Sequence, residues 1–237
     1  MNPRLTLFDI DATLLVTAGA GVAAMRRAGE ALFGPGFTSD GLDFSGRLDP
    51  LLMAEMLELN GRAASSENLR TFRERYIVEL HHAADRNGGR LGHALPGVHD
   101  LLDRLRESDS PIGLLTGNYA ETGSLKLRCC GIDPCWFDPA VWGDDSPYSQ
   151  PKRDHLPAVA IRRMRDRMGI ELPAERVTIV GDTPHDVRCA KVNGCRSVGV
   201  ATGKYSMDQL RQCGADIVLP DLSDVGRVTE ILLADEV

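Results

Sequence analysis

The sequence predicts an α/β fold in which parallel strands form a central sheet and helices cover it. Apolar runs of strand length recur along the chain, helical patterns separate most of them, and glycines mark the helix ends. This alternation favours a parallel sheet, because a parallel connection needs a crossover that usually contains a helix. The strand-like runs lie at residues 4–9, 112–116, 177–181, 196–200 and 216–219. We therefore predict a Rossmann-like core.

Glycines mark the expected ends of the helices between these strands. One helix is expected to run from an N-cap at Asp154 to Met168, with Gly169 as its stop. Glycine adopts the left-handed conformation at little cost, which is what a helix end often requires. Three further glycines follow helical stretches and are expected to end them in the same way: Gly131, Gly194 and Gly214.

The region between the first two strands has a different pattern, with three helical stretches and no clear strand. Gly34-Pro35-Gly36 and Asn87-Gly88-Gly89 interrupt it, and the alternation of strands and helices resumes after Pro96. The helical stretches lie near residues 18–33, 49–60 and 66–86. We therefore predict an α/β core of residues 1–14 and 92–237, interrupted by a helical domain of residues 15–91.

Composition excludes several classes of function. The chain has 237 residues, 43% of them hydrophobic, and a net charge of −7, which argues against general nucleic-acid binding. Six cysteines without C-x-x-C spacing indicate reduced thiols. The N-terminus lacks the features of a signal peptide, and no apolar run is long enough to span a bilayer. We expect a soluble, cytoplasmic protein, either a monomer or a homodimer.

Four segments carry candidate chemistry, and each lies just after a predicted strand or at the start of a helix. Asp9 and Asp11 follow the first apolar run, where burial of two carboxylates is costly unless a metal, a cation or hydrogen-bond donors compensate them. The carboxyl ends of parallel strands form the usual ligand site of such sheets. The segments are Asp9-x-Asp11-x-Thr13, Thr116-Gly117-Asn118, Lys152 and Gly181-Asp182-Thr183-Pro184-His185-Asp186.

In this order, the four segments resemble the signature of the haloacid dehalogenase superfamily, whose commonest members are magnesium-dependent phosphatases. Residues 96–102 and 199–203 are similar to its phosphoglycolate phosphatase branch, and the helical insert resembles the C1-type cap of that branch. The resemblance implies a Mg²⁺-dependent phosphatase that acts on a small phosphorylated metabolite such as 2-phosphoglycolate. A phosphate monoester repels nucleophiles, so this chemistry needs a cation that neutralises both partners.

The resemblance implies roles for the four aspartates. Asp9 would attack phosphorus and form an aspartyl phosphate, which splits hydrolysis into two displacements. Asp11 would protonate the leaving oxygen and then activate water, while its backbone carbonyl binds the metal. Asp9 and Asp182 would supply carboxylates to Mg²⁺, and Asp186 would hold a metal-bound water or orient Lys152.

The second and third motifs would hold the phosphoryl group. The resemblance implies that Thr116 and the backbone N–H groups of Gly117 and Asn118 bind its oxygens, and that Lys152 offsets its charge. The third motif usually reads K-P-x-P, whereas here Lys152 is followed by Arg153, so either residue could fill the role. Each motif alone also has a structural explanation, such as a capped turn or a solvated charge.

Two further features depart from the usual pattern or extend it. Ala12 stands where relatives usually carry glycine, and a side chain is disfavoured there if the residue needs a positive φ.

Arg47, in a loop of the predicted cap, could meet a substrate carboxylate, or could equally be a surface arginine beside a helix. His81 and His82 are expected to be partly exposed helix residues rather than metal ligands, and His185 is expected to face either the site or solvent.

Rival functions are weighed against the same residues. A phosphonate hydrolase of this superfamily needs a lysine in its cap, and no lysine precedes Lys126. Sugar-phosphate mutases usually have a histidine shortly after the first motif, but residues 14–25 contain none. Haloacid dehalogenases generally lack the second aspartate, which is present as Asp11. A non-catalytic relative that binds a phosphorylated metabolite is the remaining alternative, although such chains tend to lose the nucleophile.

Overall fold

A computed structural model of the chain describes residues 4–108, 110–169 and 171–234. Its main sheet has six strands in the order β5-β4-β1-β6-β7-β8, and every neighbouring pair is parallel. Two short strands, β2 and β3, pair separately as an antiparallel ribbon. The strands are β1 (Leu5–Phe8), β2 (Leu15–Val16), β3 (His93–Ala94), β4 (Ile112–Leu115), β5 (Ala140–Val141), β6 (Val177–Gly181), β7 (Arg196–Val200) and β8 (Ile217–Leu219). The five predicted strands are confirmed.

Helices connect these strands and cover both faces of the main sheet. They are α1 (Ala20–Phe33), α2 (Asp49–Leu59), α3 (Ser66–Arg86), α4 (Val98–Arg106), α5 (Ala120–Cys129), α6 (Leu156–Met168), α7 (Pro184–Val192), α8 (Met207–Gln212) and α9 (Val225–Leu233). The predicted α/β fold with an inserted helical segment is therefore confirmed. No helix in the described ranges is long and apolar enough to cross a membrane.

The central strand β1 is buried on both sides, which explains why all of its residues except Thr6 are apolar. Leu5 and Leu7 pack into one apolar cluster together with residues of α6, whereas Phe8 packs into another together with residues of α4 and α9. Successive side chains of a strand point to opposite faces, so a strand covered on both faces needs apolar residues at nearly every position. Asp9, the next residue, is the first carboxylate at the end of this apolar run.

The helices α1, α2 and α3 lie between β2 and β3 and share an apolar cluster of their own. Phe72 and Tyr76 of α3 are fully buried in this cluster, as is Met53 of α2. Tyr119 and Leu125, from the region after β4, also pack into it. The three helices predicted in this region are confirmed, and the β2–β3 ribbon at its two ends was not predicted.

Two helix boundaries test the local sequence signals. Gly169 ends α6 with a φ of 65°, and the three other predicted glycine stops also have positive φ, so these predictions are confirmed. The N-cap predicted at Asp154 is wrong, because a 3₁₀ turn at Arg153–His155 precedes α6 and the helix begins at Leu156. This turn matters for the site, because it directs Arg153 into the protein interior.

The N-terminus of α2 is docked onto the loop after β4. The backbone N–H of Asp49 donates to the carbonyl oxygen of Gly117 at 2.8 Å, and Tyr119 N–H donates to a carboxylate oxygen of Asp49 at 3.2 Å. A Cβ at Gly117 would lie 1.9 Å from the carbonyl oxygen of Arg47. Glycine at this position therefore permits the helical segment to approach the ends of the strands.

Candidate active site

The ends of β1, β4 and β6 form the floor of a single site. β1 lies between the other two strands, with Phe8 opposite Leu114 on one side and Val180 on the other. The residues that follow each strand therefore emerge side by side at one edge of the sheet. The first, second and fourth predicted motifs meet at this edge because all three strands are parallel and neighbouring.

Three carboxylates converge at this edge. Asp9, Asp182 and Asp186 are buried, and each offers an oxygen within 4.8 Å of the others. Thr13 donates to Asp182 at 3.5 Å. A Cβ at Gly203 would lie 1.8 Å from an oxygen of Asp182, so the chain passes very close to this carboxylate.

The charges of Asp9 and Asp182 are only partly compensated by the protein. Burial raises the pKa of Asp9 to about 6 and outweighs the opposing effect of Arg153. Burial, followed by the charges of Asp186 and Asp9, raises the pKa of Asp182 to about 8. A divalent cation bound by hard oxygen ligands removes both the desolvation cost and the repulsion. The buried carboxylate oxygens of this cluster therefore form a donor set that fits Mg²⁺.

Arg153, rather than Lys152, is the cation of the third motif. Its guanidinium is buried, at 3.0 Å from Asp9 and 2.6 Å from Asp186. Burial acts to lower the pKa of Arg153, but the charges of Asp186 and Asp9 raise it above its usual range. Lys152 is exposed, and its backbone N–H donates to a ring nitrogen of His155. The prediction that Lys152 occupies the site is therefore wrong, because the 3₁₀ turn points Arg153 inward instead.

Asp186 is held at the start of α7 by a reciprocal cap. The Thr183 hydroxyl and backbone N–H both donate to one oxygen of Asp186, at 2.6 and 3.1 Å. Its other oxygen accepts from Arg153. A Cβ at Gly181 would lie 2.2 Å from the carboxyl carbon of Asp186, so glycine leaves room for this side chain. The predicted orientation of Lys152 by Asp186 is wrong, because the cation that Asp186 contacts is Arg153. The predicted role of Asp186 with a metal-bound water stays a prediction.

The side chain of Asp11 points away from this acidic cluster. One of its oxygens, Oδ2, accepts from Lys126 at 2.7 Å and from Asn118 at 2.8 Å. Ala12, which lies between Asp11 and Thr13, has a φ of 58°. This is the left-handed conformation that glycine adopts easily and that the usual glycine at this position led us to anticipate. The Thr202 hydroxyl donates to the Ala12 carbonyl and braces this turn.

The second motif lies beside these acids. Thr116 is fully buried, and its hydroxyl oxygen accepts from the side chain of Asn118 at 2.9 Å. This contact leaves the hydroxyl proton of Thr116 available to donate. Thr116, Gly117 and Asn118 all line the same cavity as Asp9 and Asp11. The structure thus brings together every predicted site residue except Lys152, and places Arg47 at the rim described next.

The cavity above the acids has a volume of about 380 Å³ and is enclosed from the other side by the helical segment. Arg47 lies in its wall, but both terminal nitrogens of its guanidinium donate to Glu55, one at 2.8 Å. Lys204, also in the wall, pairs with Asp43 at 2.7 Å. The apolar part of the wall comes from the helical segment and the chain leading into it: Val16, Val22, Met25, Phe44 and Leu52.

Sequence reasoning missed Lys126 and Asp49, which are both buried in this site. Lys126 follows Thr122 by four residues, so the two share one face of α5, and that face is otherwise packed against the protein. A charged residue on a buried helix face was the available signal. For Asp49 the available signal was the G-x-x-D pattern of Gly46-Arg47-Leu48-Asp49 at the start of a helix.

A profile of the haloacid dehalogenase-like hydrolase family matches residues 6–200. The match covers most of the chain and contains all four motifs, so the chain belongs to this family. The predicted resemblance and the predicted enzyme class, a hydrolase of the phosphatase type, are confirmed.

Two phosphatases are similar to this chain in sequence, at modest identity. A phosphoglycolate phosphatase from Vibrio parahaemolyticus is 26% identical over 231 residues, which is 96% of this chain and 96% of the relative. The pyrophosphatase PpaX from Bacillus velezensis is 31% identical over 134 residues, covering 56% of this chain and 58% of the relative.

Solved structures share the fold over almost the whole chain. A hydrolase from Pseudomonas syringae superposes with a TM-score of 0.72 at 22% identity, covering 97% of this chain and 99% of that one. A predicted phosphoglycolate phosphatase from Haemophilus somnus superposes with a TM-score of 0.70 at 18% identity, covering 97% and 99%. At such identities the likeness establishes the fold.

Proposed function

We propose that the chain is a Mg²⁺-dependent phosphatase that hydrolyses a small phosphate monoester through an aspartyl phosphate on Asp9. The observation that carries this proposal is the convergence of Asp9, Asp182 and Asp186 within 4.8 Å at the ends of parallel strands. Bound Mg²⁺ would offset the negative charge shared by the carboxylates and the phosphoryl group. Asp9 and Asp182, with the backbone carbonyl of Asp11, are the proposed ligands.

In the proposed first step, an oxygen of Asp9 attacks phosphorus and the bond from phosphorus to the leaving oxygen breaks. Asp11 gives its proton to that oxygen, so an alcohol departs. In the second step Asp11 takes a proton from water, which attacks phosphorus and releases Asp9 and inorganic phosphate. Both roles suit Asp11, whose side chain borders the cavity and is directed away from the carboxylate cluster.

The phosphoryl oxygens are proposed to bind the hydroxyl of Thr116 and the N–H groups of Gly117 and Asn118. Arg153 would add a positive charge, held in place by Asp186. A planar guanidinium donates along fixed directions, unlike the compact ammonium group of lysine. Donors already oriented before the reaction stabilise developing charge without reorganisation.

The helical segment of residues 15–91 is proposed to act as the cap that closes the site and selects the leaving group. 2-Phosphoglycolate is the first candidate substrate, because a relative that matches nearly the whole chain is named for it. Its carboxylate would have to share Arg47 with Glu55, which already holds the guanidinium. We expect Glu55→Gln to lower KM for 2-phosphoglycolate and to leave KM for p-nitrophenyl phosphate unchanged.

Hydrolysis of p-nitrophenyl phosphate, with and without Mg²⁺, tests the proposed function directly. We expect turnover that requires the metal and disappears with a chelator. Tight binding of phosphorylated metabolites without metal-dependent turnover would instead favour a non-catalytic protein that binds such a metabolite. A screen over about a hundred phosphorylated metabolites would then define the substrate, since discrimination by a small pocket is limited.

A further inference from the structure

Lys126 is a buried cation that the proposed mechanism does not use. It lies on α5, and its ammonium group reaches the first motif, 115 residues away in sequence. Nζ donates to Asp11 Oδ2 at 2.7 Å and to the Asn118 side-chain carbonyl at 2.6 Å. A Cβ on Gly21 of α1 would lie 3.3 Å from this Nζ, so glycine allows α1 to pack closely over it.

The donors around Asp11 are arranged asymmetrically. Lys126 and the Asn118 amide group both donate to Oδ2, whereas no hydrogen bond to Oδ1 is found within the described part of the chain. When Asp11 carries a proton, that proton therefore belongs on Oδ1, because Oδ2 already faces two donors. The side chain of Asp11 is 42% exposed and lines the cavity, so a molecule bound there can contact it.

Lys126 also determines which way the amide of Asn118 points. An ammonium group can only donate, so the amide oxygen must face Lys126. The amide nitrogen then faces Asp11 and the Thr116 hydroxyl, at 2.8 and 2.9 Å. A single ammonium group thus orients both the acid of the first motif and the amide of the second.

The charge on Lys126 is secure in this buried position. Burial acts to lower the pKa of Lys126, but the neighbouring carboxylates of Asp11 and Asp49 outweigh burial and raise it. An uncompensated buried ammonium would be costly, so the ion pair with Asp11 also explains why Lys126 is tolerated there.

We propose that Lys126 is a positioning residue of the catalytic site, which holds Asp11 by Oδ2 so that Oδ1 faces the leaving-group oxygen. This inference rests on the proposed phosphatase function. Its consequence is specific to the leaving group. Proton donation matters for an alkyl phosphate, whose alkoxide leaves poorly, and matters little for p-nitrophenyl phosphate, whose phenolate leaves well.

The test compares kcat/KM for β-glycerophosphate and p-nitrophenyl phosphate in wild type and in Lys126→Met, which keeps most of the volume. The ratio kcat/KM reports steps up to transfer of the phosphoryl group, where the leaving group departs. We expect the alkyl substrate to lose about 100-fold more than the aryl one. Lys191→Met, the same change on the exposed face of α7, should leave both values at the wild-type level.

Loss of folded protein would lower the measured kcat/KM equally for both substrates. A difference between the two losses therefore separates a positioning role from an effect on stability. An equal loss on both substrates, or no loss, would overturn the proposal. In the Asp11→Asn background, Lys126→Met should add no further difference between the substrates, because the group that it positions is gone. An undiminished difference there would also overturn it. Wild type without Mg²⁺-dependent turnover would instead overturn the proposed function.

Discussion

Lys152 and Arg153 are neighbours of equal charge in opposite environments. Lys152 is exposed, whereas Arg153 lies between Asp9 and Asp186 in the interior. Removal of Arg153 would leave two buried carboxylates facing each other without their cation. A broken buried ion pair typically costs about 3–5 kcal/mol, so this arginine affects both stability and chemistry.

We therefore expect Arg153→Met to lower kcat/KM by at least about 100-fold and to lower the melting temperature by several degrees. Lys152→Met, the matched change one residue earlier, should alter neither quantity. Kinetics with p-nitrophenyl phosphate and thermal melts measure both effects. A larger loss of kcat/KM in Lys152→Met than in Arg153→Met would instead assign the third-motif cation to Lys152.

Asp9 is the residue on which the proposed covalent step depends. Asp9→Asn preserves volume and removes the nucleophilic charge, so we expect turnover to fall by at least about 1,000-fold while the fold is retained. Activity on p-nitrophenyl phosphate and circular dichroism measure the two outcomes. Asp103→Asn, the same change at a solvent-exposed position on α4, is the control. Near wild-type activity in Asp9→Asn would exclude Asp9 as the nucleophile.

At the scale of elements, the contact between α2 and the loop after β4 joins the helical segment to the sheet. Asp49 makes two hydrogen bonds across this contact, through its backbone N–H and its carboxylate. Burial raises the pKa of Asp49 to about 7, although Lys126 acts to lower it. The charged form of Asp49 is therefore disfavoured in the folded protein.

This raised pKa makes stability depend on pH. The ordinary value is 3.8, so the folded chain binds more protons than the unfolded chain between pH 3.8 and about 7, and stability is lost as the pH rises through that interval. Asp49→Asn should remove the loss, so its gain in unfolding free energy should be greater at pH 8 than at pH 5 by about 1–3 kcal/mol. Denaturant titrations at both values measure this difference. Equal gains at pH 5 and pH 8 would contradict the prediction.

The apolar runs and glycine stops were sufficient to predict most elements. β1, β4 and β6 are apolar at nearly every position because the sheet is covered on both faces, and this pattern is local. β2 and β3 were missed because each has only two residues and is defined by its partner. The N-cap predicted at Asp154 was wrong because Asp154 lies inside a 3₁₀ turn, the same turn that contains the buried Arg153.

At the scale of the whole molecule, three buried carboxylates from two distant parts of the chain oppose folding unless their charge is compensated. The raised pKa values of Asp9 and Asp182 follow from this burial and mutual repulsion. A ligand that binds only the folded state stabilises it, by about 2.7 kcal/mol at 100 times its dissociation constant. The proposed metal should therefore be visible in the stability of the entire chain.

We expect Mg²⁺ to raise the melting temperature by several degrees and a chelator to reverse the shift. Asp182→Asn should abolish the shift, because it removes one proposed ligand, whereas Asp103→Asn should retain it. Differential scanning calorimetry at several Mg²⁺ concentrations measures the effect without reference to activity. A shift that persists in Asp182→Asn would show that Mg²⁺ acts elsewhere.

The order of the motifs along the chain was enough to predict the α/β class, the family resemblance and the acidic site. Each of these signals lies within a few residues, and the end of a strand is visible where an apolar run meets polar residues. Folding determined which side chains meet: Arg153 instead of Lys152, Lys126 against Asp11, and Glu55 against Arg47. These contacts depend on how helices turn and pack across long separations, and the cost of leaving a buried charge unpaired selects among them.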